Sequence, residues 1–495
     1  MSGERGHLFF GVLHHLKNIV PSKNFVIIDR DIRTKNFFEK QQFVDFNKLY
    51  FYKESQSTFH DVDIEYLEKF EKKYNINLSQ IIYSDPTFYP IYHSSTFNHK
   101  EILSLIEDDC KFYEKILEES KPDFLIIHVG GQKQLNLLTS MCKSIGIKIL
   151  QFAPARFGKR FQISKEYDVL DKSLPKNYQN VPIDESYLSK LKTDLDLYSF
   201  YHGSTPWGYN LSKLSFFVGQ LKNITMMRSD LKNSYSDIKT SFVGNFFNIF
   251  KKNIKKIYRK RFLDKHTLTD IPKNEKFVFY SLHVQPEQTT SVQAPFVTDQ
   301  INLIRNIAQS LPIDHFLYVK EHFSQGLFWH WRPIEYYKEI LNIPNVRLFH
   351  PSLNSSLLLA DCSIVATITG STGYEGMMYK KPIIVFADVG NMEIDSVFKV
   401  ENFEELPKII RDALKLQDPT LGYRDFFEAK LEESFDVDFL FFNDAQTLFY
   451  IANTPMDKIK IEDMASFLQK HEKLLKKVTD KFKNKIIQYE NNTIM

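Results

Sequence analysis

The run Ile364–Phe386, IVATITGSTGYEGMMYKKPIIVF, sets two short apolar segments, Ile364–Ile368 and Ile383–Phe386, on either side of a Gly-Ser-Thr-Gly turn and a helix-patterned stretch. Short apolar runs bounded by turn residues read as buried strands. Strand, polar turn, helix and strand in that order describe part of a parallel α/β layer. Lys380-Lys381-Pro382 closes the helix Tyr374–Tyr379, since proline has no N–H to continue it. Upstream, FLYVKEH (Phe316–His322) repeats the pattern with a strand Phe316–Val319 running into Lys320-Glu321-His322. Strands Phe277–Tyr280 and Val346–Phe349, with helices Val297–Ser310 and Ile334–Leu341 between them, complete the layer. Ligands of such a layer sit beyond the carboxyl ends of its strands, which here are the polar loops.

The first half of the chain carries a second set of these signals. Phe25–Asp29 reads as a buried strand, Ile64–Tyr74 as a helix, and SDPTFYP (Ser84–Pro90) as a turn. A long amphipathic helix over Lys100–Ser120 is broken by Lys121-Pro122-Asp123. Strand Phe124–His128, helix Gln132–Ser144 and strand Gly146–Gln151 then form a βαβ unit. The loop APARFGKR (Ala153–Arg160) brings Arg156 and Arg160 close to the ends of these strands. From 165 to 230 the periodicity weakens, and the tail Met464–Tyr489 reads as charged amphipathic helix packing at the surface.

At 495 residues the chain is long enough for two or three cores. Hydrophobic residues make up 43% and charged residues 25%, an ordinary globular balance. No apolar run approaches the roughly 20 residues of a membrane span, and MSGERGHLFFGVLHHLKN lacks a signal-peptide cleavage region, so a cytoplasmic protein is expected. Cys110, Cys142 and Cys362 have neither metal-type spacing nor the density of a disulfide framework, and read as core thiols. A net charge of +3 is too small to argue for nucleic acid. The segment Phe246–Phe262 differs from the rest: seven Lys or Arg fall between Lys251 and Arg261, while Phe246, Phe250, Ile254, Ile257 and Tyr258 recur at helical spacing. Such a helix can lie on an anionic membrane, or pack its apolar stripe on the protein.

The GSTG turn carries the most local chemistry. Gly370 and Gly373 let the backbone turn tightly and approach a ligand, and Ser371 and Thr372 add hydroxyl donors. The same residues also make an ordinary capped turn with nothing bound. Neither a G-K-[ST] ending nor a GxGxxG spacing is present. His322 ends another strand of the same layer, so the two can face one crevice. With Lys320 and Arg332 near it in sequence, His322 can hold a phosphate and stabilise it as a leaving group. Glu375 is placed to accept from a ribose or sugar hydroxyl, or to complement the helix dipole. His283, Gln285 and Glu287 sit in the loop after the first strand of the layer and can line the cleft. No metal or cofactor is expected.

These motifs in order, YSLHVQPEQTT, DQINLIRNIAQSLP, LYVKEH, Arg332, PNVRLF, TITGSTGYEGM and KKPIIVF, resemble the carboxy-terminal half of bacterial capsule polysaccharide biosynthesis proteins, the family that includes Kdo transferases. KPDFLII and GIKILQFAPARFGKR resemble the upstream part of that group, so the likeness runs from about Ile64 to Val389. It implies a GT-B-like α/β fold, with two Rossmann-like domains facing a cleft and extra helices. The chain then divides into an amino-terminal acceptor-side domain (1–235), a basic helix and linker (236–275), a nucleotide-sugar-binding domain (276–430) and carboxy-terminal helices (431–495). In such transferases a His-Pro motif and a Ser/Thr motif hold the donor phosphate of a CMP-activated sugar, which maps onto His322, Ser371 and Thr372. This sequence departs from the pattern with Phe323 in place of Pro.

A sugar transferase needs a carboxylate or imidazole near the acceptor hydroxyl. Asp85 and His128 are the candidates, with Arg156 and Arg160 able to bind an acidic sugar or a phosphorylated acceptor. The expected activity is transfer of a sugar from a nucleotide donor, such as CMP-Kdo or a related acidic sugar, to a surface glycan or lipid-linked acceptor at the inner face of the membrane. A sugar-nucleotide epimerase, a polyol-phosphate transferase and a non-catalytic glycan- or nucleotide-binding protein are the alternatives.

Overall fold

Asn98 opens the helix His99–Ser120 with a capping box: its side chain accepts from the Glu101 N–H while the Glu101 carboxylate accepts from the Asn98 N–H. The apolar positions Ile102, Leu105, Ile106, Tyr113, Ile116 and Leu117 bury one face, and Lys121 ends the helix in the left-handed region before Pro122. The computed structural model describes the chain except residues 1–2, 18–21, 29–34, 53–58, 90–96, 157, 172–182, 195–241, 286–287, 326–330, 389–393, 452–453, 456–458 and 492–495; the side chains of 3–6, 242–253, 288, 439, 446, 449–451 and 454–455 also lie outside the description.

In the amino-terminal half, β1 (Phe25–Ile28) and β2 (Lys48–Phe51) pair in parallel. The βαβ unit read from the sequence is present as β3 (Phe124–His128), helix Lys133–Ser144 and β4 (Lys148–Pro154), with β3 and β4 parallel. The chain then turns back into β5 (Arg160–Ser164), antiparallel to β4.

The carboxy-terminal half is built on β6 (Lys276–Ser281), β7 (His315–Lys320), β8 (Val346–Phe349), β9 (Ile364–Thr367), β10 (Ile383–Val385) and β11 (Val397–Lys399). Their order across the sheet is β11-β10-β9-β6-β7-β8, and every pairing is parallel. Numbered within this sheet, the order is 3-2-1-4-5-6, a doubly wound Rossmann-type sheet whose winding reverses between β6 and β9. Both faces are covered: Phe277, Phe279, Tyr318 and Val365 lie in one core, Val278, Tyr280, Leu317 and Val319 in the other. Helix Thr372–Met378 lies close on the first face because Gly376 has no side chain. A Cβ there would fall 2.7 Å from Ile383 Cδ1 and 2.9 Å from Val365 Cγ2.

The tail differs from the surface packing expected of it. β12 (Ser434–Asp436) pairs antiparallel with β5, so the chain returns to the amino-terminal sheet, whose order is β12-β5-β4-β3. Leu475, Val478, Phe482, Ile486 and Tyr489 of helix Glu472–Glu490 share one core with Leu8, Phe10, Leu150 and Phe152. The spacing of these apolar residues at three to four positions makes a stripe wide enough to bury, despite the charge on the opposite face. All three cysteines are buried and free.

Candidate functional site

The winding reversal brings the end of β6 beside the end of β9, and His283 fills the space between them. Its ring is buried, with Nε2 3.2 Å from Thr367 Oγ1 and accepting the Thr369 N–H at 3.4 Å. Burial first, and then its neighbours Arg156, His322 and Arg332, push its pKa down to about 3, so the imidazole is neutral. Thr369 donates its hydroxyl to Thr289 O at 2.9 Å, and the Gly370 N–H donates to Thr367 Oγ1 at 2.9 Å. The Gly373 N–H closes the turn on Gly370 O at 3.1 Å, and Ser371 Oγ donates to Glu375 Oε1 at 3.3 Å. The GSTG turn is therefore held rigidly from the side of β6. Its Ser371 and Thr372 lie at the start of helix Thr372–Met378.

Lys320, the last residue of β7, is 3% exposed, and among the described residues its Nζ makes no hydrogen bond. Burial pushes its pKa down to about 8, against the upward pull of Glu375 and then Glu321. A buried ammonium facing carboxylates without a hydrogen-bond partner leaves donors for an anion. His322 follows at the strand end, half-buried. Its backbone N–H donates to Glu321 Oε1 at 2.7 Å, and its Nδ1 accepts the Ser324 N–H at 3.2 Å, which places the ring proton on Nε2. Phe323 stacks on the His322 ring at 4.9 Å between centroids, so the residue that departs from the His-Pro pattern supplies an aromatic wall to the imidazole.

Several candidates are structural supports. Arg332 is fully buried. Nε donates to Glu321 Oε2 at 2.8 Å, Nη1 to Gln285 Oε1 at 3.1 Å and Nη2 to His283 O at 2.5 Å. Gln285 is buried in the same network, donating to Thr298 O at 2.7 Å, and does not line the cleft. Glu287 lies outside the described residues. Asp85, a catalytic candidate from the sequence, is buried and caps two backbone segments. Oδ1 accepts the Thr87 N–H at 2.8 Å and Oδ2 the Lys133 N–H at 3.0 Å, which holds the start of helix Lys133–Ser144. Arg160 bonds Ser434 Oγ at 2.7 Å, Leu431 O at 2.9 Å and Ser434 O at 2.7 Å, so it ties β12 to β5. Arg156 likewise spends its guanidinium on protein groups, among them Thr369 O and Tyr167 OH.

His128 lies at the carboxyl end of β3. It lines a cavity of about 350 Å³ between the two halves, with Gln151, Lys143, Glu166 and Tyr167 from the amino-terminal side and Gln293 from the carboxy-terminal side. Among the described residues Gln151 Oε1, which is buried, has no hydrogen-bond partner. Gln293 also accepts from Arg156 Nη2 at 2.8 Å, so this cavity adjoins the loop that holds the GSTG turn.

Residues 228–389 match the model of the family described as capsule polysaccharide biosynthesis protein. This segment, which holds β6 to β10, His283, Lys320, His322 and the GSTG turn, thus carries the capsule biosynthesis signature. Among solved structures, the chain is similar to the β-Kdo 2,7 transferase KpsC of Thermosulfurimonas dismutans, at 10% identity and a TM-score of 0.28, over 72% of this chain and 96% of that one. It is similar to the UDP-GlcNAc 2-epimerase of Methanocaldococcus jannaschii in complex with UDP-GlcNAc and UDP, at 13% identity and a TM-score of 0.27, over 83% of this chain and 100% of that one. A third, Anabaena Alr3699/HepE in complex with UDP-glucose, matches at 19% identity and a TM-score of 0.24 over 35% of this chain and 49% of that one. No curated protein matches.

Sequence reading missed Thr367, Thr369, Glu321, Asp168 and Lys430, all of which hold the site. Thr367 and Thr369 flank a motif already singled out. Asp168 and Lys430, which pair at 3.0 Å across 262 residues of chain, have no local signal at all.

Proposed function

We propose that the chain is a glycosyltransferase of surface polysaccharide synthesis that takes its sugar from a nucleotide donor. Lys320 carries this reading: a buried cation without a hydrogen-bond partner among the described residues, at the carboxyl end of β7 and facing Glu375 of the helix that the GSTG turn begins. An anionic phosphate would satisfy it, with the Thr372 hydroxyl, the His322 Nε2 proton and the Ser371 hydroxyl, turned from Glu375, as further donors. The match of residues 228–389 to capsule biosynthesis proteins supports the surface-glycan setting. The donor class proposed is a CMP-linked acidic sugar such as CMP-Kdo, held by these cations without a resident metal. The acceptor, a glycan or its lipid-linked primer, would occupy the cavity that His128 lines, and its imidazole would take the proton of the attacking hydroxyl.

A lipid-linked acceptor fits a peripheral position at the inner face of an anionic membrane. The helix Phe242–His266 supports this with Ile254, Ile257 and Tyr258 exposed among its basic residues. Among the described residues no helix is long and apolar enough to cross a membrane.

The test is release of free nucleotide from CMP- and UDP-linked sugars, with and without a capsule-type oligosaccharide acceptor. Acceptor-dependent release supports transfer. Conversion of a nucleotide sugar in the absence of acceptor would establish an epimerase instead, and binding without turnover under every acceptor would leave a non-catalytic glycan-assembly protein. Chelation with EDTA should leave the transfer rate unchanged.

A further inference from the structure

Arg156 lies in the turn between β4 and β5 with φ 55°, in the left-handed region, and sends its side chain out of the amino-terminal half. Nη1 donates to Thr369 O and lies 3.3 Å from Asp168 Oδ2. Nη2 donates to Gln293 Oε1 at 2.8 Å and Nε to Tyr167 OH at 2.9 Å. Asp168, itself buried, accepts from Lys430 Nζ at 3.0 Å on Oδ1 and from Tyr374 OH at 2.9 Å on Oδ2. Lys430 belongs to helix Tyr423–Glu433, which carries the chain back toward β12, and Tyr374 to the helix after the GSTG turn.

One buried network therefore grips the turn on both flanks, Thr369 before it and Tyr374 after it. It also fixes the turn to a loop of the other half and to the returning helix. With Arg156, the Thr369 peptide has all its polar groups engaged: N–H on His283, carbonyl on Arg156, hydroxyl on Thr289. The network holds two cations, Arg156 and Lys430, against the single carboxylate of Asp168. The excess positive charge lies next to His283, whose neutrality it helps to enforce.

We propose that Arg156 is a positioning residue for donor binding. Reaching across from the amino-terminal half, it fixes the Thr369–Gly370 peptide so that Ser371 and Thr372 meet the phosphate, and it adds a positive field that the incoming anion neutralises. The proposal rests on the reading of this turn as the donor-phosphate site. Arg156 does not touch the nucleotide; it acts through Thr369. A guanidinium can donate in three directions at fixed angles while remaining charged, and a lysine ammonium at the end of a flexible stem cannot hold the same three partners.

The experiment compares wild type with Arg156→Lys and Tyr167→Phe in the full chain. Nucleotide binding is measured by calorimetry with CMP and with UDP as probes, and amide hydrogen exchange is followed across 367–376. Arg156→Lys should weaken binding of the preferred nucleotide by at least about tenfold, the scale of one lost charge-assisted contact. It should also speed exchange at Gly370–Thr372 while β6 and β7 keep wild-type protection. Tyr167→Phe, which removes a single partner of the guanidinium, should move both readouts in the same sense and by less, and it serves if Arg156→Lys does not fold. Wild-type affinity and unchanged exchange in the variants would overturn the role of Arg156 and leave the donor-site reading standing. Binding of neither nucleotide by wild type would overturn that reading, and the proposal with it.

Discussion

Gly370 stands so close to His283 that a Cβ on it would lie 2.9 Å from the imidazole Nε2, and equally close to Thr367 Oγ1. Both neighbours are buried and committed to backbone groups of the turn, so neither can give way cheaply. Gly370→Ala should cost about 1–3 kcal/mol by overpacking, and should displace the turn. Nucleotide affinity, read by calorimetry below the melting transition, should fall more than the loss of stability explains. Wild-type affinity in this variant would mean that the turn does not hold the donor.

His283 predicts an acid limit to stability. Its folded pKa of about 3 lies below its ordinary value of 6.5, so the unfolded chain binds the extra proton first as pH falls. Stability contributed by the neutral buried ring is present above pH 6.5 and is lost between there and about 3, at up to about 1.4 kcal/mol per pH unit. His283→Gln keeps an acceptor for the Thr369 N–H without a titrating group. Urea melts at pH 7, 6, 5 and 4 should show a shallower decline in the variant than in wild type. Equal slopes would show that the ring does not hold a depressed pKa.

Lys320 makes the opposite prediction for ligand binding. Its folded pKa of about 8 is below the ordinary 10.5, so the ammonium is charged below pH 8 and neutral well before the unfolded chain loses its proton. Protein stability from this group therefore rises as pH climbs from 8 to 10.5. Nucleotide affinity instead should weaken through pH 8, because the charge that pairs with phosphate is lost. Lys320→Gln should bind nucleotide roughly tenfold to a hundredfold more weakly at pH 7, from the loss of one charge-assisted hydrogen bond, and should show no further change up to pH 9. A wild-type affinity that is flat from pH 7 to 9 would remove Lys320 from the phosphate site.

Asp85 and His128 should part company on mutation. Asp85→Asn weakens two backbone caps and should cost about 1 kcal/mol of stability, with the transfer rate per folded molecule kept, since both oxygens are spent on Thr87 and Lys133. His128→Gln should leave nucleotide affinity near wild type and lower acceptor-dependent transfer by about a hundredfold, the usual scale of a lost general base. The reverse pattern would return the catalytic role to Asp85.

The carboxy-terminal sheet was legible because its strands are buried on both faces and read as continuous apolar runs. Val346–Phe349 agrees with the structure residue for residue. Lys320, His322 and the GSTG turn could be placed together from the strand-end rule alone. The roles of Arg156, Arg160, Arg332 and Asp85 could not, because a charged residue near a strand end looks the same in sequence whether it faces a ligand or a buried partner. Glu321, between two site candidates, and Asp168 and Lys430, far apart in the chain, decide those roles through tertiary pairing. The antiparallel strands β5 and β12 and the buried tail escaped for the same reason. Each finds its partner in the other end of the chain, and the charge on helix Glu472–Glu490 conceals an apolar stripe that only the amino-terminal core explains.

The helix Phe242–His266 is where the two readings of a basic amphipathic segment part. Packing of its apolar stripe on the protein requires that stripe to be buried. Leu263 at its carboxyl end is buried, but Ile254 is 53% and Tyr258 67% exposed. Near that end the helix is anchored by Arg259 to Trp331 O and by Asp264 to His350 at the end of β8, beside the strand that carries Lys320. It holds eight Lys or Arg against one Asp while the whole chain nets +3, so the rest of the chain is net negative and the attraction to an anionic surface is concentrated here. Each cation near such a surface contributes about 1 kcal/mol, screened within a Debye length. Replacing Lys251, Lys252, Lys255 and Lys256 together by Gln should therefore lower sedimentation with phosphatidylglycerol vesicles by roughly two to three orders of magnitude in partition coefficient at low salt. Phosphatidylcholine vesicles should bind neither protein. Ile254→Ser with Tyr258→Ser should weaken the salt-resistant part of binding. If the quadruple variant sediments like wild type, this helix does not meet the membrane, and access to a lipid-linked acceptor must come from elsewhere on the protein.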